Sequence, residues 1–262
     1  MFWKGLQTFI EHKLRLVPTS TEEKIYVNPN GSDTNGTGSI ISPYATITKA
    51  MSLVTTTRKI VICFPGTYAE DVTWPDVNGV KLLSLIPGTV TVEAVTANAI
   101  SIDPAAASAT WSATIGVGLS HGDGLVGLQV DNKNVGKRIN LYLQNVDIES
   151  ETATDHAIDV NRSGAAGDSI RIYATGQGNT IEGLVHYITE STDDRVRFWG
   201  YRLVGGFECS GAIVNELTFV LCGIKTNGLT VDDANVYNTI ACYNETDDNP
   251  NVHAAVADAV EQ

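Results

Sequence analysis

The sequence is poor in charge, in long apolar runs and in long helical stretches. Only 18% of its 262 residues are Asp, Glu, Lys or Arg, and no apolar run reaches the ~20 residues a membrane-spanning helix needs, so no membrane partner is expected. Basic clusters are missing as well. Seventeen Lys+Arg against 30 Asp+Glu leave a net charge of −13, without the phosphate-neutralising surface that nucleic-acid binding by counterion release demands. The 24 glycines lack the three-residue period of collagen, and 43% apolar content excludes a wholly disordered chain. Cysteine is scarce: Cys63, Cys209, Cys222 and Cys242 form no close pair of the zinc-ribbon or thioredoxin kind. Each lies in or beside an apolar run and reads as a buried free thiol.

Met1 to Leu16 offers no continuous apolar stretch for secretion, because Lys4, Gln7, Glu11, His12 and Lys13 interrupt it. Without a signal peptide, and with scattered thiols, synthesis in a reducing cytoplasm is expected. Phe2, Leu6, Phe9 and Ile10, with Trp3 beside them, share one face of a short helix. That stripe either lies on the body of the protein or forms an arm that docks on another subunit, with a peripheral membrane anchor as a third reading. Residues 1–24 are therefore set apart as a helical arm or cap. Residues 247–262, whose Val252, Val256, Ala259 and Val260 share a face, read as a helical tail.

Between them, residues 25–246 repeat. Lys59 to Thr67 recurs as Lys81 to Thr89, a 22-residue offset that ends in Pro-Gly-Thr both times. Further strand-like runs begin near Ala99, Ala113, Ile139, Ile170, Val196, Leu217 and Val236. That makes about nine runs from Ile60, separated by Gly, Asn, Asp and Ser. Tight Asn-Gly hairpin signals do not join them. A strand that returns beside its predecessor in the same direction describes a coil of parallel strands, whose open ends need caps. The expected fold class is all-β, a single-stranded parallel β-helix of about nine coils with short N- and C-terminal helical caps. Pro43 to Val54 also reads as helical.

Aligning coils by apolar alternation turns Ile139, Leu141 and Leu143 inward, then Ile170, Ile172 and Ala174, then Val196, Phe198 and Gly200, then Leu217, Phe219 and Leu221. The opposite face then carries one file of Asn140, Arg171, Arg197 and Thr218. A second holds Tyr142, Tyr173, Trp199 and Val220, and a third Gln144, Thr175, Tyr201 and Cys222. An outward aromatic file is large for a water-facing strand. Three readings stay open: a loop covers it or the register is off by one; it is a lateral interface between copies; or it binds sugar, with Arg171 and Arg197 holding a uronate carboxylate. The interface reading takes Tyr142, Tyr173, Trp199, Val220, Arg171, Arg197 and Tyr201 as contact residues.

The segment Tyr26-Val27-Asn28-Pro29-Asn30-Gly31-Ser32-Asp33, then Asn35-Gly36-Thr37-Gly38, then Ser42-Pro43-Tyr44-Ala45-Thr46-Ile47, resembles the opening coil of the right-handed parallel β-helix, or pectin-lyase-like, superfamily. Phe64-Pro65-Gly66-Thr67-Tyr68 is similar to the strand end that follows it there. Asp33, Asn28 and Asn30 suit turn caps, Gly31, Gly36 and Gly38 suit positive φ, and Pro43 suits a first helical turn. The Asp/Asn loop lacks the spaced carboxylates of a calcium loop, so no metal and no cofactor is expected.

The superfamily includes pectate lyases, polygalacturonases and phage tailspike depolymerases, so the resemblance raises catalysis. The polygalacturonase series of Asn-Thr-Asp, Asp-Asp, Gly-His-Gly and Arg-Ile-Lys is not found in order, although His121-Gly122-Asp123-Gly124 resembles a fragment. The best catalytic candidates are Asp155, His156 and Asp159, near Arg162 and Arg171 in sequence. Without a catalytic signature, the resemblance implies a structural protein of a bacteriophage virion, of capsid-decoration, spike or fibre-head type. It would assemble as a homotrimer on capsid or tail proteins, with Phe2, Trp3, Leu6, Phe9 and Ile10 docking the arm. The alternatives are a polysaccharide lyase or hydrolase, including a tailspike depolymerase, and a non-catalytic adhesin for cell-surface polysaccharide.

Overall fold

A computed structural model describes residues 24–104, 110–132, 138–152, 155–162, 169–189, 194–211, 216–220, 222–224, 229–231, 237–240 and 243–244. The arm residues Phe2 to Ile10, the C-terminal tail and Cys242 lie outside them.

Successive strands pair in parallel, each directly upon the last. The first sheet stacks Lys24–Val27, Ile60–Cys63, Val80–Ser84, Thr110–Gly116 and Arg138–Gln144, then the leading parts of Ser169–Ile181 and Arg195–Leu203, then Glu216–Val220 and Tyr237–Ile240. That is nine laps among the described residues, eight from Ile60 onward and one before it, where the sequence pattern gives about nine from Ile60. A second face carries Gly66–Ala69, Val90–Glu93, Gly118–His121 and Ile148–Ser150, then the trailing parts of the two long strands. A third sheet stacks Val72–Thr73, Ile100–Ile102, Leu128–Asn132, His156–Arg162, Leu184–Thr189, Phe207–Gly211 and Leu229–Val231. The run at Ala99 therefore belongs to the third sheet and is not a new lap.

The core is built from vertical files. Ile25, Val61, Leu82, Ile115, Leu143, Ala174, Phe198 and Phe219 stand in one column of the first sheet, all buried. Tyr68, Val92, Leu119, Ile148, Ile181, Leu203 and Ile224 line the second face, and Val72, Ile100, Leu128, Ile158, Val185 and Phe207 the third. Strands buried on their inner side with parallel ladders on both edges leave few backbone groups without partners.

The lap length is not constant. Residues in register are separated by 20 (Leu217 to Tyr237) up to 36 (Lys24 to Ile60). The apparent 22-residue repeat departs from the true register, by one residue where Ile60 pairs with Lys81 and by two, in the other direction, where Gly66 pairs with Val90. A one-residue slip would turn Val61 and Leu82 out of the core, and burial of both fixes the observed pairing.

The helix near the start is shorter than Pro43–Val54. It spans Ile47–Met51, because Tyr44 is held extended by a bridge to Val27. Its leading N–H groups are fully accounted for. Glu70, one lap on, accepts from Ile47 and Thr48 N–H at 2.7 Å each, and the Thr46 hydroxyl accepts from Lys49 N–H at 3.1 Å. Asp33 accepts from Ala45 N–H, Thr46 N–H and the Thr46 hydroxyl. Desolvation works to raise the Asp33 carboxyl, but those hydrogen bonds and the Lys49 charge outweigh it and hold it below its ordinary value. Of the three loop glycines only Gly38 has positive φ (71°). Gly31 and Gly36 serve close approach instead, since a Cβ would stand 2.4 Å from the Tyr44 carbonyl oxygen and 2.2 Å from that of Ser32.

Candidate functional site

Two side-chain constellations stand on the outside of the coil. On the first sheet, Tyr142 and Tyr173 occupy adjacent laps in one file and stack at 5.4 Å between ring centroids, 18° from parallel. The next lap does not continue with Trp199. Tyr173 pairs with Arg197, whose guanidinium lies 5.9 Å from the Tyr173 ring centroid. Trp199 stands in the neighbouring file, between Thr175 and Val220. The expected alignment was thus two residues out at this lap, a shift that keeps each side chain on its face but changes its neighbours. The patch stays open to solvent: Trp199 is 56% exposed and Tyr142 38%, Arg197 is exposed, and Tyr173, Val220 and Arg171 are half-buried.

Tyr201 is a correction of a different kind. It is 1% exposed and belongs to the core, as does Cys222. The strand turns the corner between the first and second faces at Gly200 (φ 70°), and the lap below bulges by Gly176, Gln177 and Gly178. A Cβ on Gly200 would meet the Gly176 carbonyl oxygen at 2.5 Å. After that corner the alternation changes phase and Tyr201 points inward, its hydroxyl accepting from Val146 N–H at 3.3 Å. Asn179 closes the bulge by accepting from Gln177 N–H and donating to Asp147. Outside it, Trp199 forms one wall of a recess of about 380 Å³.

The second constellation is on the third sheet. An outward file runs Ser101, Gln129, Asp159, His186 and Glu208 through consecutive laps. His186 Nδ1 lies 2.7 Å from Asp159 Oδ1, so this nitrogen carries the proton that the carboxylate accepts. His156 Nδ1 is 3.5 Å from the same oxygen, and the two imidazoles stack at 4.8 Å. His156 and Asp159 are three apart in sequence and on a regular strand would face opposite ways. A bulge after His156 restores them to one side, which is why Ala157 and Ile158 are both buried.

The other candidates separate. Asp155 accepts from Gly124 N–H at 3.3 Å and Glu151 from Asp123 N–H at 3.2 Å, so both support the turn after His121. Arg171 projects from the first sheet, away from His156 and Asp159, and the Arg162 side chain lies outside the described residues. His121 is 2% exposed, and burial lowers its pKa against the pull of nearby backbone carbonyls, Asp155 and Glu151. It lines a groove of about 440 Å³ on the second face with Glu93, Glu149, Glu151 and Glu182. His186 was missed from the sequence because 27 residues separate it from Asp159. An outward His on a lap adjacent to an outward Asp was the available signal.

No protein-family model matches the sequence, and no curated protein does. Among solved structures, a pectin methylesterase from carrot aligns over 91% of this chain and 88% of its own, with a TM-score of 0.51 and 12% sequence identity. The chain is a right-handed parallel β-helix of the pectin-lyase-like fold. At that identity the likeness is one of fold, which hosts many functions. The β-helix supplies flat lateral faces on which side chains from consecutive laps add up, and the aromatic–arginine patch and the His–Asp–His cluster are two uses of that property.

Proposed function

We propose that this β-helix is a structural protein of a bacteriophage virion, of the decoration, spike or fibre-head type, assembling side by side as a homotrimer. The observation that carries the reading is the exposed patch of Tyr142, Tyr173, Arg197 and Trp199 on one flat sheet. Aromatic residues and Arg are the side chains enriched at interface cores and hot spots. Charge supports a second copy as the occupant. Arg171 and Arg197 make this patch basic on a chain of −13, while the groove on the second face gathers Glu93, Glu149, Glu151 and Glu182. A cyclic trimer uses heterologous contacts, so the basic patch of one copy would meet the acidic groove of the next.

Light scattering on the eluting protein tests this. A trimer gives about three times 28.0 kDa, and Trp199→Glu should reduce it to a single chain. A wild-type mass of one chain at every concentration overturns the reading, as does a trimer indifferent to Trp199→Glu and Tyr142→Glu together. A second reading, polysaccharide contact with or without cleavage, draws on the Tyr142–Tyr173 stack and the recess beside Trp199, where a pyranose ring could lie. A monomer that binds acidic polysaccharide and loses it on Trp199→Ala favours that reading.

A further inference from the structure

We propose that His156, Asp159 and His186 bind one divalent transition-metal ion of the zinc class on the outer face of the third sheet. The site is distinct from the aromatic patch, and the outcome for one leaves the other standing.

The ligand atoms of these three residues all lie within 4.8 Å of one another. A tetrahedral zinc site with bonds near 2.0–2.2 Å sets its ligand atoms roughly 3.3 Å apart. The two distances to Asp159 Oδ1, 2.7 Å from His186 and 3.5 Å from His156, bracket that value, so a small rotation of the imidazoles closes the set. Two imidazoles and a carboxylate suit zinc, cobalt(II) and nickel(II) better than calcium or magnesium, which prefer all-oxygen shells. The ion would displace the proton shared by His186 and Asp159 and compensate the Asp159 charge. His186 and Asp159 have side chains only 18% and 15% exposed, so water competes weakly there.

The backbone is shaped around this arrangement. The bulge that brings His156 to the side of Asp159 is bracketed by two glycines on the flanking laps. A Cβ on Gly127 would stand 2.7 Å from the Ala157 carbonyl oxygen, and one on Gly183 (φ 90°) would stand 2.6 Å from that of Asp155. Without those glycines the neighbouring laps could not close over the bulge, and His156 would lose its place. The cluster leaves a fourth position for water or an added ligand, and Glu208 follows His186 in the same file, one strand spacing of ~4.8 Å away.

The test uses the full chain, untagged and stripped with a chelator, titrated with zinc against a chromophoric competitor, and with cobalt(II) for its visible spectrum. One ion per chain is expected, with a cobalt spectrum of low-symmetry nitrogen–oxygen coordination. His156→Gln/His186→Gln should weaken binding at least tenfold with the far-ultraviolet circular dichroism unchanged, and Asp159→Asn should weaken it likewise. Absence of zinc binding by the wild-type chain overturns the proposal, as does equal binding by the doubly substituted protein, which would place the ion on other residues.

Discussion

Replacing Tyr201 measures the corner at Gly200 directly. If the phase changes there, the ring is enclosed with Phe198, which it meets edge-on at 5.7 Å, and its hydroxyl is the partner of the buried Val146 N–H. Tyr201→Ala then costs about 3–5 kcal/mol by analogy with other large buried aromatics. Tyr201→Phe keeps the ring and leaves one buried donor without its acceptor, about 1–3 kcal/mol. For a chain of this size each kcal/mol lowers the melting temperature by about 2–4 °C, so the alanine variant should melt about 6–20 °C lower and the phenylalanine variant about 2–12 °C lower. Trp199→Ala, two residues away but outside, should move it by no more than about 2 °C in dilute protein, where lateral association contributes nothing. Thermal melts followed by circular dichroism give all three. Equal losses at 199 and 201, or a larger loss at 199, would refute the assigned corner and with it the separation of interface from core.

Three further outcomes follow from the same geometry. Glu70→Ala removes the acceptor of Ile47 and Thr48 N–H and should cost about 0.5–2 kcal/mol, read as a lower melting temperature. The Asp33 carboxyl is held below its ordinary value, so its stabilisation is fully present above about pH 4 and is lost as the pH falls through the lower folded value; Asp33→Asn should flatten that part of an acid-unfolding curve. Cys63, Cys209 and Cys222 are buried, and burial followed by the Glu70 charge raises the Cys63 thiol, so none of the three should react with a thiol reagent until the chain is unfolded in urea.

The β-helix was readable because its signals are local. Alternating apolar residues, turn residues between runs and the opening loop each act within a few residues, and together they dictate parallel laps and the inward files Ile139–Leu143 and Ile170–Ala174. The turn role of Asn28 was readable for the same reason, since its side chain accepts from the N–H of Asn30 two residues on, whereas Asp33 reaches 12 and 13 residues ahead to the N–H groups of Ala45 and Thr46. Lateral register was not. It depends on how many residues each corner absorbs: across the bulge at Gly176–Gly178 the pairing of the two long strands shifts by two residues, from Thr175 beside Trp199 to Asn179 beside Tyr201.

Sequence alone thus determined the class of fold, the composition of its core and the presence of exposed aromatics, because periodicity records which side of a strand meets water. Tertiary structure alone decided which of those side chains touch. Tyr201 entered the core through one glycine with positive φ, and His186 joined His156 and Asp159 through one bulge and the stacking of laps. Contacts between laps join residues 20 to 36 apart, and no local pattern fixes that interval when the intervening corners can bulge.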